Sequence, residues 1–333
     1  MRFKDDVRYQ YTMNNMGKPR RIASIGEILW DLLPDGPQLG GTTANFAAFL
    51  AQLSSDVAGE SADEVFLVSR TGDDELGLQA RKQLAVCSVR EEHVSLDPSR
   101  PTGTVAVILD ANKGPSYQIH KNVAWDAIPE TPQLAALAPT LDAVCFGTLA
   151  QRSSVSRATI RSVIEASRTD CLRVFDVNLR EPDWTTEAVV WGCNHASILK
   201  MNLEEVPHVA QAVGASGEER EPLPAAHFLL RQFPIQMVAI TRGGEGSLMV
   251  TREDICEHPG VSVQVEDTIG AGDCFTAALT YYAMRHCSLP VLAEAANRWG
   301  AWVATQRGGM PLLDGNTRRT VDATIQKASG IQF

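Results

Sequence analysis

A glycine-rich turn near the C-terminal end carries the clearest chemical signal in this 333-residue sequence. It reads Asp267-Thr-Ile-Gly-Ala-Gly-Asp273 and continues into a segment whose apolar residues recur with helical spacing. Gly270 and Gly272, separated only by the small Ala271, allow unusual φ angles and let a ligand touch the backbone. Because open N–H groups and the positive end of a helix dipole would meet there, the turn predicts a site for an anion.

Asp273 places a carboxylate where an anion is expected to bind. As a helix N-cap, its side chain would satisfy first-turn amides and do nothing more. Alternatively, the carboxylate accepts the proton of an alcohol while the amides receive the developing charge, as phosphoryl transfer to a hydroxyl requires. Two glycines around an alanine favour the second interpretation, because a simple capped turn would not require them.

The composition narrows the classes of partner. The formal net charge is −10 and no Lys/Arg run forms a basic stripe, so no nucleic-acid partner is predicted. Seven cysteines without a C-x-x-C pair are typical of free thiols, and the seven histidines lack zinc-site spacing. No apolar stretch approaches the length of a membrane span and the N-terminus lacks a signal peptide, so we expect a cytoplasmic protein without a membrane partner.

The elements that must position the turn alternate between short apolar strands and amphipathic helices. This pattern predicts an α/β fold with a mostly parallel sheet covered by helices on both faces. A helix begins after Thr42 or Thr43, either of which could cap it. The remaining predicted strands cover 22–30, 65–69, 143–146, 172–176, 197–200 and 237–241, and the helices cover about 153–167, 184–192, 203–213 and 222–232.

The alternation breaks between residues 102 and 125. Strand-like segments at 104–109 and 116–120 flank a turn at 112–115, which predicts a β-hairpin. The hairpin is too small to be an independent domain. We therefore expect a polar N-terminal extension over residues 1–20 and a single α/β domain over 21–333 with a small β appendage.

Five motifs in register resemble the ribokinase-like (PfkB-type) carbohydrate kinases, over about residues 21 to 312. The turn at 267–273 resembles the C-terminal signature of that family, and the glycine pair before Asn45 resembles its N-terminal signature. The N-terminal motif is Gly40-Gly41…Asn45. The other three are Gly72-x-Asp74-x-x-Gly77, Asn202-x-x-Glu205 and Thr241-x-Gly243-x-x-Gly246. The resemblance implies a three-layer fold and an ATP-dependent kinase that phosphorylates a sugar hydroxyl.

Other nucleotide-binding classes lack their motifs here. The sequence has no Gly-x4-Gly-Lys-Ser/Thr loop, so P-loop chemistry is not favoured. No Gly-x-Gly-x-x-Gly follows the first predicted strand, so a dinucleotide-dependent oxidoreductase is not favoured either.

On the nucleotide side, the resemblance implies that Asp273 is the base and that the amides of 270–273 hold the transition state. Asn202 and Glu205 would hold Mg²⁺ on the ATP phosphates through water, because Mg²⁺ loses its hydration shell reluctantly. Alternatively, Glu205 is an ordinary acid in the first turn of a helix. Further nucleotide-binding positions would be Thr241, Gly243, Gly246, Thr268 and Asn297, the last of them near the adenine. Asp267 could help to bind a monovalent cation such as K⁺, as in some members of the family.

On the sugar side, Asp31 closes the first predicted strand, where the carboxyl ends of a parallel sheet gather their ligands. Its carboxylate could clasp two vicinal hydroxyls, with Asn45 and the Gly40-Gly41 backbone as the floor. The segments 26–37 and 176–184 resemble parts of fructokinases, and Arg180 in the second could meet phosphate or substrate. The alternatives are a capping or surface role for Asp31 and a surface cation at Arg180.

The family resemblance makes the β appendage a lid, from about 31–40 and 102–125, that closes over the sugar and excludes water. Both faces of the strand around Val105 are apolar, which predicts a homodimer through the lid strands. The favoured substrate is fructose or a related ketose. The alternatives are 2-keto-3-deoxygluconate, ribose or a nucleoside, or a non-catalytic member that senses a sugar.

Overall fold

The computed structural model describes residues 19–34, 36–55, 62–110 and 114–329 of the chain. Of the predicted N-terminal extension, residues 1–18 lie outside the described residues. Nothing in the described ranges forms a helix that is both long and apolar enough to cross a membrane.

One large sheet forms the centre of the molecule. Its strands are β1 (Arg21–Ile25), β4 (Glu64–Gly72), β5 (Val94–Asp97), β8 (Ala143–Phe146), β9 (Leu172–Asp176), β10 (Ile198–Asn202), β11 (Met237–Thr241), β12 (Ser247–Thr251) and β13 (Ile255–His258). The spatial order is β13-β12-β11-β10-β9-β8-β1-β4-β5. Neighbours run parallel from β5 to β11, whereas β12 and β13 close one edge in antiparallel orientation. The mostly parallel sheet predicted from the sequence is confirmed.

Helices cover both faces of this sheet. They are α1 (Thr42–Ser54), α2 (Glu75–Val86), α3 (Pro132–Leu137), α4 (Ser154–Ala166), α5 (Thr186–His195), α6 (Val206–Ala212), α7 (Pro222–Gln232), α8 (Ala271–Ala283), α9 (Leu289–Ala304) and α10 (Gly315–Ser329). One apolar core packs α1, α2, α8 and α9 against the sheet, and a second packs α4 to α7 against the other face. In the first core, Phe49 of α1 meets Trp299 of α9 edge to face at 5.5 Å. This packing holds α8, whose first turn carries the glycine motif.

A second, smaller sheet contains the predicted hairpin. It consists of β2 (Leu29–Leu33), β3 (Gly36–Gly40), β6 (Gly103–Asp110) and β7 (Gly114–Ile119), in the order β3-β2-β6-β7. The β6–β7 pair is antiparallel, which confirms the hairpin, although residues 111–113 of its turn lie outside the described residues. The strands end at Ile119, and a short 3₁₀ turn at 124–127 follows.

The predicted strand 22–30 is wrong in one respect, because the structure divides it between the two sheets. Gly26 lies at the division with a φ of 152°, where a Cβ would come within 2.9 Å of Thr43 Cγ2. The chain leaves the large sheet at this glycine and enters the small one. Asp31 therefore lies within β2 of the small sheet, and its predicted place at the end of a strand of the parallel sheet is wrong.

The predicted capping of α1 by Thr42 or Thr43 is also wrong. Gly41 is the N-cap, with a φ of 103°, and neither threonine side chain caps this helix. A Cβ on Gly41 would lie 2.6 Å from the Glu27 carbonyl oxygen. Thr43 Oγ1 donates to that same oxygen over 2.6 Å, so the threonine ties the helix start to the segment that enters the small sheet.

Candidate active site

Glycines hold the first turn of α8 open. Gly270 is the N-cap in the left-handed conformation, at a φ of 76°, and a Cβ there would lie 2.5 Å from Gly309 Cα. Ala271 donates its N–H to the Thr268 carbonyl over 3.3 Å, whereas the N–H groups of residues 272 and 273 have no acceptor in the described part of the chain. Unpaired amides at the positive end of a helix suit an anion.

Asp273 is the third residue of α8 and contacts α1. Asn45 donates from Nδ2 to Asp273 Oδ2 over 2.7 Å. The N-cap interpretation of Asp273 is wrong, because Gly270 occupies that position and no side chain caps the helix. Desolvation and the nearby Asp176 charge raise the pKa of Asp273 to about 6, against the opposing effects of Asn45 and two cations. Such a carboxylate is ionised at neutral pH and can still accept a proton.

Two oxygen acceptors around Gly308 and Gly309 lack hydrogen-bond donors among the described residues. Asn45 Oδ1, against Gly309, and Gln38 Oε1, against Gly308, are buried without partners among the described residues. Asp31 lies directly opposite Gln38 in the antiparallel β2–β3 pair, so both side chains occupy one face of the small sheet. Because buried acceptors without donors are costly, this group suits a ligand that brings several hydroxyls.

The Asp31 carboxylate is held close to the glycine pair and to two charged residues. A Cβ on Gly40 would lie 3.0 Å from Asp31 Oδ2, so glycine leaves room for the carboxylate. Burial raises the pKa of Asp31, the Arg180 charge lowers it, and the Asp267 charge raises it. The charge of the exposed Arg180 also lowers the pKa of Asp273, so Arg180 lies within electrostatic range of both Asp31 and Asp273.

Glu27 is a buried acid that the sequence analysis missed. It lies between β1 and β2, and its Oε1 accepts the N–H of Thr42 at the start of α1 over 3.1 Å. Burial raises the pKa of Glu27 to about 7, and the Asp273 charge adds to the rise. A charged residue directly after an apolar strand and a glycine was the available signal.

A buried ion pair beneath α8 was missed as well. Lys200 Nζ on β10 donates to Asp176 Oδ1 on β9 over 3.0 Å, and Thr276 Oγ1 on α8 donates to Asp176 Oδ2 over 2.7 Å. Asp176 is fully buried and Lys200 is 6% exposed. Two opposite charges in adjacent apolar strands were the signal, since such residues are almost never buried unpaired.

The Asn202 and Glu205 motif forms a closed set of hydrogen bonds. Glu205 accepts the N–H of Asn202 over 2.8 Å and that of Leu179 over 2.7 Å, while Asn202 Oδ1 accepts the Glu205 N–H over 2.9 Å. Both carboxylate oxygens are thereby fixed, and burial raises the pKa of Glu205. No group of three or more His, Cys, Asp or Glu side chains suited to a metal occurs among the described residues. A carboxylate so occupied fits a hydrated ion better than a bare one.

The predicted nucleotide-side residues lie along the ends of β10, β11 and β12. Thr241 pairs in register with Asn202, so these motifs end adjacent parallel strands. Gly243 is exposed, whereas a Cβ on Gly246 would lie 2.0 Å from the His258 carbonyl oxygen, which requires glycine at that turn. Asn297 of α9 donates from Nδ2 to Ser247 Oγ over 2.7 Å. It is buried beside this turn, and its predicted adenine contact stays a prediction.

Asp267 organises the loop before α8. Its Oδ1 accepts the Ile269 N–H over 2.9 Å and its Oδ2 accepts the Gly308 N–H over 3.1 Å. Thr268 is exposed in the same loop. Asp267 thus connects the glycine turn to the segment that covers Asn45, and its predicted contact with a monovalent cation stays a prediction.

The motif Gly72-x-Asp74-x-x-Gly77 has a different task. Asp74 caps α2, where its Oδ1 accepts the Gly77 N–H over 2.8 Å, and it also accepts two bonds from Thr102 at the entrance to β6. Burial raises the pKa of Asp74, but these hydrogen bonds lower it below its usual value. This aspartate ties a helix to the small sheet.

The comparison with protein families decides the assignment. A family described as pfkB family carbohydrate kinase matches residues 37–314. The chain belongs to this family. The predicted resemblance is thereby confirmed, and the protein is an ATP-dependent carbohydrate kinase.

Three relatives match this chain over most of its length and most of their own. A fructokinase of Escherichia coli is 26% identical over 311 residues, covering 88% of this chain and 96% of the relative. The crystal structure of a Vibrio cholerae fructokinase with fructose, ADP and a calcium ion is 25% identical, covers 92% of this chain and 99% of that one, and has a TM-score of 0.73. The structure of an uncharacterised sugar kinase from Pyrococcus horikoshii in complex with ATP is 28% identical, covers 87% and 94%, and has a TM-score of 0.70.

Proposed function

We propose that this kinase transfers the terminal phosphate of ATP directly to a hydroxyl of fructose or a related ketose. One observation carries the proposal: Asp273, with a pKa raised to about 6, stands beside unpaired helix amides and is oriented by Asn45. A base and an anion site side by side are what in-line transfer to an alcohol requires.

Each residue of the turn has a separate task in the transfer. Asp273 takes the proton of the acceptor hydroxyl, and the bond from Asn45 Nδ2 directs its other oxygen toward the sugar. In the turn of Gly270, Ala271, Gly272 and Asp273, the open amides of the last two residues receive most of the charge that develops on the phosphoryl oxygens. The carboxylate acts as the base because desolvation keeps its affinity for a proton above that of an ordinary aspartate.

The acceptors around Gly308 and Gly309 support a polyol as the second substrate. Asp31 clasps two neighbouring hydroxyls, Asn45 Oδ1 accepts another, and the Gly40-Gly41 backbone forms the floor. Arg180 balances the carboxylates or meets phosphate. Fructose is favoured over other sugars because fructokinases from several organisms are among the relatives, and the related Vibrio cholerae structure holds fructose.

On the nucleotide side, Thr241, Gly243, Gly246, Thr268 and Asn297 line the ATP site in this proposal. Asn202 and Glu205 hold Mg²⁺ through water, since their oxygens already accept backbone amides and retain lone pairs for water. When bound, Mg²⁺ supplies charge neutralisation on the phosphates. Asp267 is the candidate contact for K⁺.

The small sheet acts as a lid in this proposal, and two lids pack together in a homodimer. Leu32 on its outer face is 40% exposed and shares a row with Pro37, Ala106 and Gln118. Sedimentation at micromolar concentration tests the dimer, and a monomer there would contradict it. We also propose a cytoplasmic location, which cell fractionation would test.

A coupled ADP-release assay across fructose, ribose, 2-keto-3-deoxygluconate and adenosine tests the substrate. We expect the highest kcat/KM with fructose. Preference for another sugar would replace fructose within the same reaction class. ATP binding without ADP release for any sugar, together with a thermal shift by fructose, would identify a non-catalytic sensor and overturn the proposed transfer.

A further inference from the structure

Lys200 is a buried cation beside the glycine turn, and the proposed transfer gives it no task. It lies on β10, 6% exposed, directly beneath the first turn of α8. A Cβ on Gly272 would come 3.4 Å from Lys200 Nζ, which is ordinary contact distance. The ammonium therefore borders the turn in which the N–H groups of residues 272 and 273 have no acceptor among the described residues.

The ammonium has more donors than partners. Of its three N–H groups, one donates to Asp176 Oδ1 over 3.0 Å, and no further acceptor is recorded for it within the described ranges. Asp176 is itself held by Thr276 of the same helix over 2.7 Å. The pair thus anchors the ammonium against α8 and leaves two N–H groups for a ligand.

Charge argues for an anion at this place. The Asp176 carboxylate pairs with the ammonium over 3.0 Å, and neither residue is more than 6% exposed. A buried charge with unused donors is costly unless something accepts from them. The terminal phosphate of ATP would bring acceptor oxygens, and it would need a cation beside the negative Asp273.

We propose that Lys200 is a phosphate-binding residue whose ammonium donates to oxygens of the terminal phosphate held at the 270–273 turn. The inference deepens the proposed function and rests on it. In the transfer, a bond forms between the acceptor oxygen and phosphorus, the bond to the leaving oxygen of ADP breaks, and the proton goes to Asp273. Lys200 keeps its protons throughout. Glycine at position 272 leaves the space between the ammonium and the amides for phosphate oxygens.

The competing explanation is that Lys200 and Asp176 form a purely structural ion pair between β9, β10 and α8. A structural pair fails in the same way whichever partner is removed, because either change leaves one buried charge alone. If Lys200 binds phosphate, removal of Lys200 and removal of Asp176 have different effects on nucleotide binding, since only the lysine touches the nucleotide. The variants Lys200→Met and Asp176→Asn therefore separate the two explanations.

Calorimetry with nucleotides alone provides the test. ADP and an ATP analogue with a methylene bridge between its last two phosphates are titrated into each variant with Mg²⁺ and without sugar. We expect Lys200→Met to weaken the analogue by roughly 10- to 100-fold and ADP by less than about threefold, the loss of one charge-assisted contact. Asp176→Asn should keep the ratio of the two affinities. Equal weakening of both ligands, or the same ratio change in both variants, would overturn the proposal.

A matched control and a second variant protect the test. Lys121→Met makes the same change at an exposed lysine that also pairs with an aspartate at 3.0 Å, and should alter neither affinity. If Lys200→Met does not fold, the double variant Lys200→Met with Asp176→Asn removes both charges and must show the same selective loss. Since no sugar is present, the result is independent of whether fructose is the acceptor.

Discussion

Two aspartates at helix starts have opposite surroundings in this molecule. Asp74 caps α2 and accepts bonds from Gly77 and twice from Thr102, and these bonds lower its pKa against a partial desolvation. Asp273 lies inside the first turn of α8, has one recorded side-chain donor in Asn45, and its pKa rises to about 6.

The difference shows how a glycine–aspartate motif can be interpreted. Where the protein fills the lone pairs of the carboxylate, the carboxylate is committed to structure and is a poor base. Where desolvation is left uncompensated, the carboxylate keeps its proton affinity and can serve a reaction. Both motifs belong to the family pattern, so the pattern alone does not separate the two tasks.

The largest expected effect is on kcat and comes from replacing Asp273, the proposed base. Asp273→Asn should lower kcat about 1,000-fold or more, because the amide cannot take the acceptor proton. The coupled ADP-release assay measures this loss, and calorimetry should find ATP binding unchanged. A loss of less than about tenfold would show that another group is the base.

Glu27 is a third carboxylate at a helix start, and it extends the comparison to the pH dependence of the free energy of unfolding. The pKa of Glu27 is raised to about 7, above the value of 4.5 expected for an exposed glutamate, so the folded state binds the proton more tightly and loses stability as pH rises between these values. Glu27→Gln removes this loss and should be more stable than the wild type by about 3 kcal/mol at pH 8. Urea unfolding at pH 8 and pH 4 measures the difference. An equal difference at both pH values would contradict the raised pKa.

On the structural side, Asp74→Ala should destabilise the fold by about 2 kcal/mol, through the lost cap and the unpaired Thr102. Urea unfolding measures the loss, and kcat per folded molecule should stay within about threefold. The neighbouring exposed Asp73→Ala is the matched control and should cost less than about 0.5 kcal/mol. A kcat loss that exceeds the stability loss would place Asp74 in the active site.

The smallest effect is the pH dependence of the wild type. Protonated Asp273 cannot accept the hydroxyl proton, so kcat/KM should fall about tenfold per pH unit below pH 6, the approximate pKa of this group. Initial rates between pH 5 and pH 8, with folding checked at each pH, test this. A flat profile down to pH 5 would contradict the raised pKa.

The sequence predicted those parts of the site that depend on local spacing. The glycine turn, the helix after it and the strand–helix alternation are properties of adjacent residues, so periodicity and glycine placement were sufficient. The matched motifs added Asn45, which lies 228 residues from its partner Asp273 and could not be connected to it by spacing.

The parts that escaped prediction depend on contacts between distant segments. The run 22–30 is interrupted at Gly26 and Glu27, and the close approach of Thr43 to Gly26 shows why the chain changes sheet there. Lys200 and Asp176 look like isolated charges in apolar strands until β9 and β10 pair and α8 packs across them. Pairing partners of this kind are set by the fold.

The change of sheet at Gly26 separates the proposed sugar-side residues from the proposed phosphate-side residues. Asp31 and Gln38 sit on strands outside the framework that carries Asp273, Lys200 and the helix amides. Under the proposed function, substitutions in β2 and β3 therefore change which acceptor alcohol binds and leave the proposed phosphate-binding residues in place.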